Sequence, residues 1–380
     1  MKTVITLSHF VNNRNKYLQY THSQSKQFVK NGFKVIVFAP MAIKSLRNLF
    51  TNKKQLQIDG VNIVINKRVP FSNFFKKTRF NINGYFYYLS IKNNIIKLIN
   101  NEDIIFINAH NFHCEGYAAY LLKKKYPEIK VTITFHGSDL ESELSNKNGI
   151  SRLIKVSKIV DSYICVSDKL TNKLKKIGVT NVKTIYNGVE LYKILPKQKE
   201  KIICTTADLI KSKNINIIIE AFKYFSVKYK DYKLEIIGDG PLRKNLETLV
   251  SKYNLNNSVS FTGNVPNIEV FKHMSKSFCF ILTSKPEGFG IVYAEAMYNK
   301  CITIGTKGEG IDGFIKNGQN GFLVNPDAKE ISELLIDILN NKYDNNKIIE
   351  NSYNDAKKLT WERNANEYLK IVNSEMGEFE

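Results

Sequence analysis

Residues 278–296 read FCFILT-SKPEGFG-IVYAEA, so that an apolar run, a Pro/Gly loop and an Ala-rich segment follow one another. The first run predicts a buried strand and the last predicts a helix. The loop therefore leads into a helix start, where free backbone N–H groups and the helix dipole favour a phosphate. Glu287 and Glu295, one on each side of the turn, suit the hydroxyls of a sugar or ribose. Together these features predict a site for a nucleotide sugar.

The same segment resembles the Glu–seven residues–Glu signature of retaining GT-B glycosyltransferases, specifically glycosyltransferase family 4 (glycosyl transferases group 1). The strand, the Pro-Glu-Gly-Phe-Gly loop and the Ala-Glu-Ala helix carry the resemblance, whereas two glutamates alone would also suit a solvated turn. The resemblance implies an α/β fold of two doubly wound, Rossmann-like domains that face each other across a cleft. A ligand would then lie between the carboxyl ends of the two sheets.

Length and composition suit a soluble globular protein of two domains. The chain has 380 residues, more than the roughly 250 to 300 residues at which single cores stop growing. Its 43% hydrophobic and 24% charged residues are typical of a globular protein. No apolar run approaches the roughly 20 residues of a membrane span, and residues 4–7 are too short for a signal peptide. We therefore expect a cytoplasmic protein.

Strand-like and helical runs alternate along the chain, which favours parallel sheets covered by helices. The predicted strands are residues 4–7, 34–39, 104–109, 130–135, 162–166, 182–186, 201–206, 233–237, 259–262, 278–283 and 301–304. We expect residues 1–195 to form an N-terminal domain that faces the acceptor and the membrane, and residues 196–360 to form the nucleotide-sugar donor domain. The resemblance also implies that the C-terminal helix, within residues 361–380, packs back onto the first domain.

The resemblance assigns roles to three charged residues of the second half. Lys213 falls where the family places the lysine that grips the donor diphosphate, and such a charge would offset that of the leaving group. Glu287 aligns with the glutamate that holds the donor sugar, and Glu295 with the one that binds the ribose. The family usually has an arginine five positions before the lysine, where this chain has Asp208. Lys211 or a first-domain residue would have to replace that charge.

Backbone groups complete the donor site that the resemblance implies. The residues expected to face the sugar and phosphate are Gly288, Phe289, Gly290 and Ile291, and those expected beside the nucleobase are Gly263 and Val265. A plain β-turn is the competing interpretation of residues 263–266. In the first half, many relatives have two glycines after the first strand, but residues 8–14 read SHFVNNR and contain none.

His136 ends a predicted strand and is followed by glycine, which is where ligands bind in open sheets. The motif resembles the family's His-Gly motif, so we expect His136 to act with Lys213 and Glu287 in catalysis by hydrogen bonding to the donor sugar. A structural histidine is the alternative. His110 and His113 could form a metal-binding pair, but no further ligand residues follow them at the spacing of a metal site. The sequence also has no Asp-x-Asp motif. We therefore expect metal-independent chemistry without a cofactor.

The positive charge is concentrated in the first half. Residues 1–195 hold 31 Lys/Arg against 11 Asp/Glu, and residues 196–380 hold 25 against 24. Residues 43–54 and 71–97 interleave basic and aromatic side chains, including Lys76, Lys77 and Arg79, which suits an anionic membrane surface. The alternative is that the excess of basic residues reflects a compositional bias towards lysine and has no function. Nucleic acid is a rival partner, but the chain has no motif for it, so none is expected.

These observations predict a retaining glycosyltransferase of the hexosyltransferase type. It would move a sugar from a nucleoside diphosphate donor, which we expect to be UDP-linked, to a glycan or lipid-linked acceptor. The expected setting is bacterial surface polysaccharide assembly, of capsule, exopolysaccharide or lipopolysaccharide, peripheral at the inner face of the cell membrane. Two alternatives stay open: a GT-B nucleotide-sugar epimerase, and a non-catalytic membrane-bound partner of another transferase.

Overall fold

The chain forms two compact units in the computed structural model, which describes residues 1–8, 10–11, 16–17, 19–40, 42–43, 54–65, 69–70, 81–192, 194 and 198–374. The first unit comprises Met1–Gly188 with Trp361–Glu380, and the second comprises Val189–Thr360. The chain thus passes from the first unit to the second at Gly188, slightly before the boundary near residue 195 that the sequence suggested.

The first unit is built on one large sheet. Its elements are Thr3–Leu7 (β1), Phe10–Val11 (β2), Lys16–Tyr17 (β3), Gln19–Lys30 (α1), Lys34–Phe38 (β4), Ala42–Ile43 (β5), Lys54–Ile58 (β6), Val61–Ile65 (β7), Val69–Pro70 (β8), Ile82–Asn101 (α2), Ile104–His110 (β9), Tyr117–Lys125 (α3), Lys130–Phe135 (β10), Ser138–Leu144 (α4), Lys147–Ser157 (α5), Ser162–Cys165 (β11), Asp168–Lys176 (α6) and Val182–Thr184 (β12). A π-helical turn, Phe112–Gly116, precedes α3.

The strand order in this sheet is β12-β11-β10-β9-β1-β4-β7-β6. Every pair is parallel except β6–β7, and the winding direction reverses between β1 and β9, as in doubly wound folds. The antiparallel hairpin was not predicted, although Asp59-Gly60, both with positive φ, is a typical two-residue hairpin turn.

The second unit is built on a six-stranded sheet. Its elements are Glu200–Thr206 (β13), Ile215–Lys228 (α7), Lys233–Ile237 (β14), Arg243–Lys252 (α8), Val259–Gly263 (β15), Asn267–Lys276 (α9), Ser277–Ile281 (β16), Ile291–Tyr298 (α10), Ile302–Thr306 (β17), Phe322–Val324 (β18), Ala328–Leu339 (α11) and Asn345–Ala356 (α12), after which Trp361–Ser374 (α13) returns to the first unit. A 3-10 turn, Lys211–Lys213, precedes α7.

All strands of the second sheet are parallel, in the order β15-β14-β13-β16-β17-β18. The winding direction reverses between β13 and β16, so the loops that follow these two strands are neighbours at the carboxyl edge. This edge is where open α/β sheets bind ligands. The predicted fold class, α/β with two parallel-sheet domains, is confirmed.

Helix α13 packs into the core of the first unit. Ala365, Tyr368 and Val372 are buried there with Phe28 of α1 and Phe106 of β9. Among the described residues, no helix combines the length and the apolar character that crossing a bilayer requires.

Candidate functional site

The loops after β13 and β16 are joined at the point where the second sheet reverses its winding. The backbone N–H of Lys285 donates to the carbonyl of Ser212 at 2.7 Å. The Asn214 side chain donates to the carbonyl of Thr283, also at 2.7 Å. Asn214 has a φ of 52° and begins α7, and asparagine tolerates this left-handed conformation better than most residues. Lys213, the residue before it, is therefore held beside the second loop.

Lys213 and Glu287 form an ion pair across the two loops. Lys213 Nζ lies 2.7 Å from Glu287 Oε2, and the two side chains are 22% and 15% exposed. Ser284 Oγ donates to the same carboxylate oxygen at 2.8 Å. A charge-assisted hydrogen bond in such a partly buried place is stronger than a surface pair. The lysine predicted for the phosphate and the glutamate predicted for the sugar thus occupy one site.

A second carboxylate fixes the backbone of the Glu287 loop. The N–H of Glu287 donates to Glu309 Oε2 at 2.8 Å, and the N–H of Gly310 donates to the carbonyl of Glu287 at 3.2 Å. A Cβ at position 310 would lie only 1.9 Å from the carbonyl oxygen of Gly288, so glycine is required for this close approach. Sequence reasoning missed Glu309, although the Gly-Glu-Gly run after a strand was a usable signal.

The start of α10 faces the same loop. Gly290, with a φ of 76°, is its N-cap residue, and no described side chain caps the helix. A Cβ at this position would lie 2.5 Å from Cε2 of Tyr293, whose hydroxyl is fixed by a 2.8 Å bond to the carbonyl of Leu282. The helix start therefore offers N–H groups and a partial positive charge suited to an anion. Lys213, which is paired with Glu287, contributes a full positive charge to the same loop.

The carboxyl group of Glu295, on α10, has a raised pKa. Burial, and then the charge of Glu190, raise the pKa of the Glu295 carboxyl to about 7. Glu190 itself accepts a hydrogen bond of 3.1 Å from the hydroxyl of Tyr192, whose ring contacts Phe271 edge-on at 5.0 Å. Two carboxyl groups and a phenol thus cluster where the sequence predicted a ribose contact. Glu190 and Tyr192 had not been singled out, because they precede the predicted donor domain.

Replacing Glu295 by glutamine is expected to raise the free energy of unfolding at pH 8. The carboxyl pKa is 4.5 without the folded environment and about 7 within it, so ionisation disfavours the folded state. The protonated carboxyl of Glu295 stabilises the folded state fully below pH 4.5, and this contribution is lost as the pH rises through 7. The variant should therefore be more stable than the wild type by about 1 to 3 kcal/mol at pH 8, with the difference shrinking towards pH 5.

Urea unfolding at pH 5 and pH 8 measures this difference. Glu333→Gln, at an exposed position on α11, is the matched control and should change stability equally little at both values. A Glu295→Gln effect that is the same at pH 5 and pH 8 would contradict the raised pKa.

The residues predicted beside the nucleobase lie at the same edge of the second sheet. The N–H of Gly238, after β14, donates to the carbonyl of Gly263, at the end of β15, at 2.9 Å. The Arg243 guanidinium lies 5.7 Å from the centroid of the Phe261 ring. Val265 is partly buried in the connection to α9. The loops after β14 and β15 therefore lie at the same carboxyl edge as the loops after β13 and β16.

In the first unit, His136 follows β10 and meets a second histidine. His110 Nδ1 and His136 Nε2 lie 3.0 Å apart and share a hydrogen bond. The ring of Tyr20, on α1, stacks on His136 with centroids 4.0 Å apart. Asp139 Oδ1 accepts the backbone N–H groups of His136 and Gly137, both at 3.0 Å, and burial raises the pKa of Asp139 to about 6.

His110 therefore orients His136, a role that the sequence did not suggest. The imidazole of His113 pairs instead with Glu143, at 3.1 Å. Among the described residues, no group of three or more His, Cys, Asp or Glu side chains is arranged to hold a metal ion. The predicted membrane residues Lys76, Lys77 and Arg79 lie outside the described residues, as does most of the loop at residues 8–14. Asp208 and Lys211 are exposed.

Two family models match the chain. The model for Glycosyl transferases group 1 matches residues 190–355, and the model for Glycosyltransferase Family 4 matches residues 19–193. An uncharacterized glycosyltransferase of Methanocaldococcus jannaschii is 29% identical over 303 residues, which cover 80% of this chain and 82% of that protein. The N-acetyl-alpha-D-glucosaminyl L-malate synthase of Bacillus anthracis is 26% identical over 284 residues, 70% of this chain and 73% of that protein.

A solved structure shows the same fold. The crystal structure of Anabaena HepE in complex with UDP and glucose superposes with a TM-score of 0.71 and 15% sequence identity. The match covers 98% of this chain and 99% of HepE.

Proposed function

Because the chain belongs to the GT-B glycosyltransferases of family 4, as the two family models show, we propose that it is a retaining enzyme that transfers a sugar from a UDP-linked donor. The observation that carries the proposal is the Lys213–Glu287 pair beside the start of α10. It combines a cation, a carboxylate and free N–H groups, which are the groups that a sugar diphosphate requires. HepE, which has the same fold, binds UDP and glucose.

Lys213 and the helix start would stabilise the departing diphosphate in the transition state. Charge develops on the leaving oxygen as the glycosidic bond breaks, and groups fixed before the reaction stabilise it without reorganisation. The diphosphate would compete with Glu287 for Lys213, and Glu287 would then accept hydrogen bonds from the donor sugar. The acceptor attacks from the face that the diphosphate leaves, and a diphosphate oxygen takes its proton. His136 would hydrogen-bond to the donor sugar.

The remaining predicted residues would bind the nucleotide. Glu295 would accept hydrogen bonds from the ribose, and the backbone at Gly263 and Val265 would border the base. The backbone of residues 288–291 would face the sugar and the diphosphate. We therefore assign the nucleotide and the diphosphate of the donor to the second unit. Acceptor binding is assigned to the first unit, as the sequence predicts.

The products distinguish this proposal from an epimerase. We expect a glycoside with the anomeric configuration of the donor when the protein is incubated with UDP-glucose, UDP-galactose or UDP-N-acetylglucosamine and extracted lipid-linked glycan acceptors. Proton NMR of the product reads the configuration. An epimerised nucleotide sugar without glycoside would support the alternative, and an inverted glycoside would contradict retention.

Helix α2 supports the proposed contact with an anionic membrane. Tyr85 and Leu89 are 49% and 37% exposed, and the Tyr88 ring lies 6.3 Å from that of Tyr85. These residues, with Lys92, share one helix face because they are three or four positions apart. An apolar stripe with an adjacent lysine suits the boundary between head groups and acyl chains. A lipid-linked acceptor in surface polysaccharide assembly would then lie at the membrane where the protein binds.

Vesicle sedimentation tests the membrane contact. The double variant Tyr85→Glu/Leu89→Glu is expected to reduce binding to vesicles of phosphatidylcholine with phosphatidylglycerol at least tenfold, because it places two carboxylates at the anionic surface. The matched control, Tyr224→Glu/Val227→Glu, changes two exposed apolar residues of α7 and should bind as the wild type does. An equal loss of vesicle binding in both double variants, or no vesicle binding by the wild type, would contradict the membrane proposal.

A further inference from the structure

A buried chain of amides connects α13 with the histidine pair of the first unit. Asn364 Nδ2, on α13, donates to the carbonyl oxygen of Tyr186 at 2.9 Å. Gln24 Nε2, on α1, donates to Asn364 Oδ1 at 2.7 Å. A backbone carbonyl can only accept, so it fixes which end of the Asn364 amide faces it. Asn364 Oδ1 then fixes the Gln24 amide in turn, with Gln24 Oε1 directed away from α13.

The fixed oxygen of Gln24 meets His110. Gln24 Oε1 lies 3.1 Å from His110 Nε2 and accepts a hydrogen bond of 2.8 Å from Asn108 Nδ2. The Asn108 amide is fixed as well, because its oxygen accepts the hydroxyls of Thr132 and Thr134 at 3.0 and 3.1 Å. Since Gln24 Oε1 can only accept, the proton of a neutral His110 belongs on Nε2.

The opposite protonation of His110 is less favourable. Asn108 Nδ2 also lies 3.1 Å from His110 Nε2 and would donate to it if that nitrogen were unprotonated. The lone pair of Nε2 would then face the Gln24 oxygen at 3.1 Å, with no hydrogen between them. In a buried, low-dielectric place this repulsion is not screened by water.

We propose that this chain of amides fixes His136 as the tautomer protonated on Nε2. With its proton on Nε2, His110 accepts at Nδ1, and His136 Nε2 at 3.0 Å must donate to it. The Nδ1 atom of a neutral His136 is then an acceptor, so a hydroxyl of the donor sugar would donate to it. Gln24 and Asn364 are therefore positioning residues for His136. This inference rests on the proposed function, because it specifies how His136 meets the donor.

The tautomers are measured directly by two-bond ¹⁵N–¹H correlation NMR on the full chain labelled at its six histidines. His110→Gln and His136→Gln assign the two signals. In the wild type we expect both rings to carry hydrogen on Nε2. In Gln24→Met the acceptor is gone, so Asn108 should donate to His110 Nε2, and His136 should change to the Nδ1–H form. Gln27→Met, the same change on the same helix at a residue outside the chain of amides, is the matched control and should keep the wild-type tautomers.

Kinetics separate positioning from a structural role. Gln24→Met is expected to lower kcat for UDP release about tenfold, the value of one neutral hydrogen bond, while the UDP Kd stays unchanged. Gln27→Met should remain within about twofold of the wild type. A wild-type His110 protonated on Nδ1 would overturn the inference without any variant, and so would a change of tautomer that leaves kcat unaltered. A wild type that binds no UDP would instead overturn the proposed function, while the NMR result would still decide the tautomer.

Discussion

Lys213→Ala is expected to lower kcat for sugar transfer by about 10² to 10³, the typical effect of removing one preorganised group that stabilises an oxyanion. The lysine is the last residue of the 3-10 turn Lys211–Lys213, directly before Asn214, and its Nζ lies 2.7 Å from Glu287 Oε2. Its charge is therefore in place before the glycosidic bond breaks. An alanine removes this charge, while the backbone N–H groups at the start of α10 remain to stabilise the diphosphate.

Initial rates of UDP release from the preferred UDP-sugar measure this effect. Lys244→Ala, at an exposed lysine of α8 in the same unit, is the matched control and should keep the wild-type rate. A kcat of Lys213→Ala within threefold of the wild-type value would contradict a catalytic role for this lysine.

Glu287→Ala is the second substitution with a large expected effect. The carboxylate pairs with Lys213 and accepts the Ser284 hydroxyl, so its loss removes a sugar contact and leaves Lys213 without its partner. Hydrogen bonds to charged groups contribute about 1.5 to 3 kcal/mol, so we expect kcat/KM to fall by a factor of roughly 10 to 150 from the sugar contact alone. Lys213 would also lose the ion pair that fixes its position, which should lower kcat/KM further.

This substitution also separates an enzyme from a non-catalytic partner protein. In cells that carry only the Glu287→Ala form, surface glycan should fall in step with the purified enzyme's activity. Glu333→Ala, an exposed glutamate of α11, should support normal glycan levels. Normal levels with Glu287→Ala would favour the partner protein, since binding through the first unit does not require this carboxylate.

The sequence predicted five strands of the second unit, β13 to β17, and its glycine loops because their patterns are local, whereas the short strand β18 was not predicted. The run before Ser284 is continuously apolar, and the glycines after it mark the turn. The pairing of Lys213 with Glu287 is not local, since it depends on β13 lying beside β16. The hydrogen bond from the Glu287 N–H to Glu309 depends in turn on β17 lying beside β16.

The histidine site of the first unit was harder to predict. His110 was considered only as a metal ligand, and its hydrogen bond to His136 follows from the pairing of β9 with β10. The bond between Gln24 and Asn364 joins residues 340 positions apart. Both side chains are polar and almost fully buried, which a hydrophobic pattern cannot indicate.

Calorimetric titration with UDP tests the central claim that the second unit binds a nucleoside diphosphate through Lys213. We expect one UDP per chain for the wild type and for Lys244→Ala, and at least tenfold weaker binding for Lys213→Ala, since the ammonium group makes a charge-assisted contact. Absence of UDP binding by the wild type, or equal affinity in all three proteins, would contradict the account.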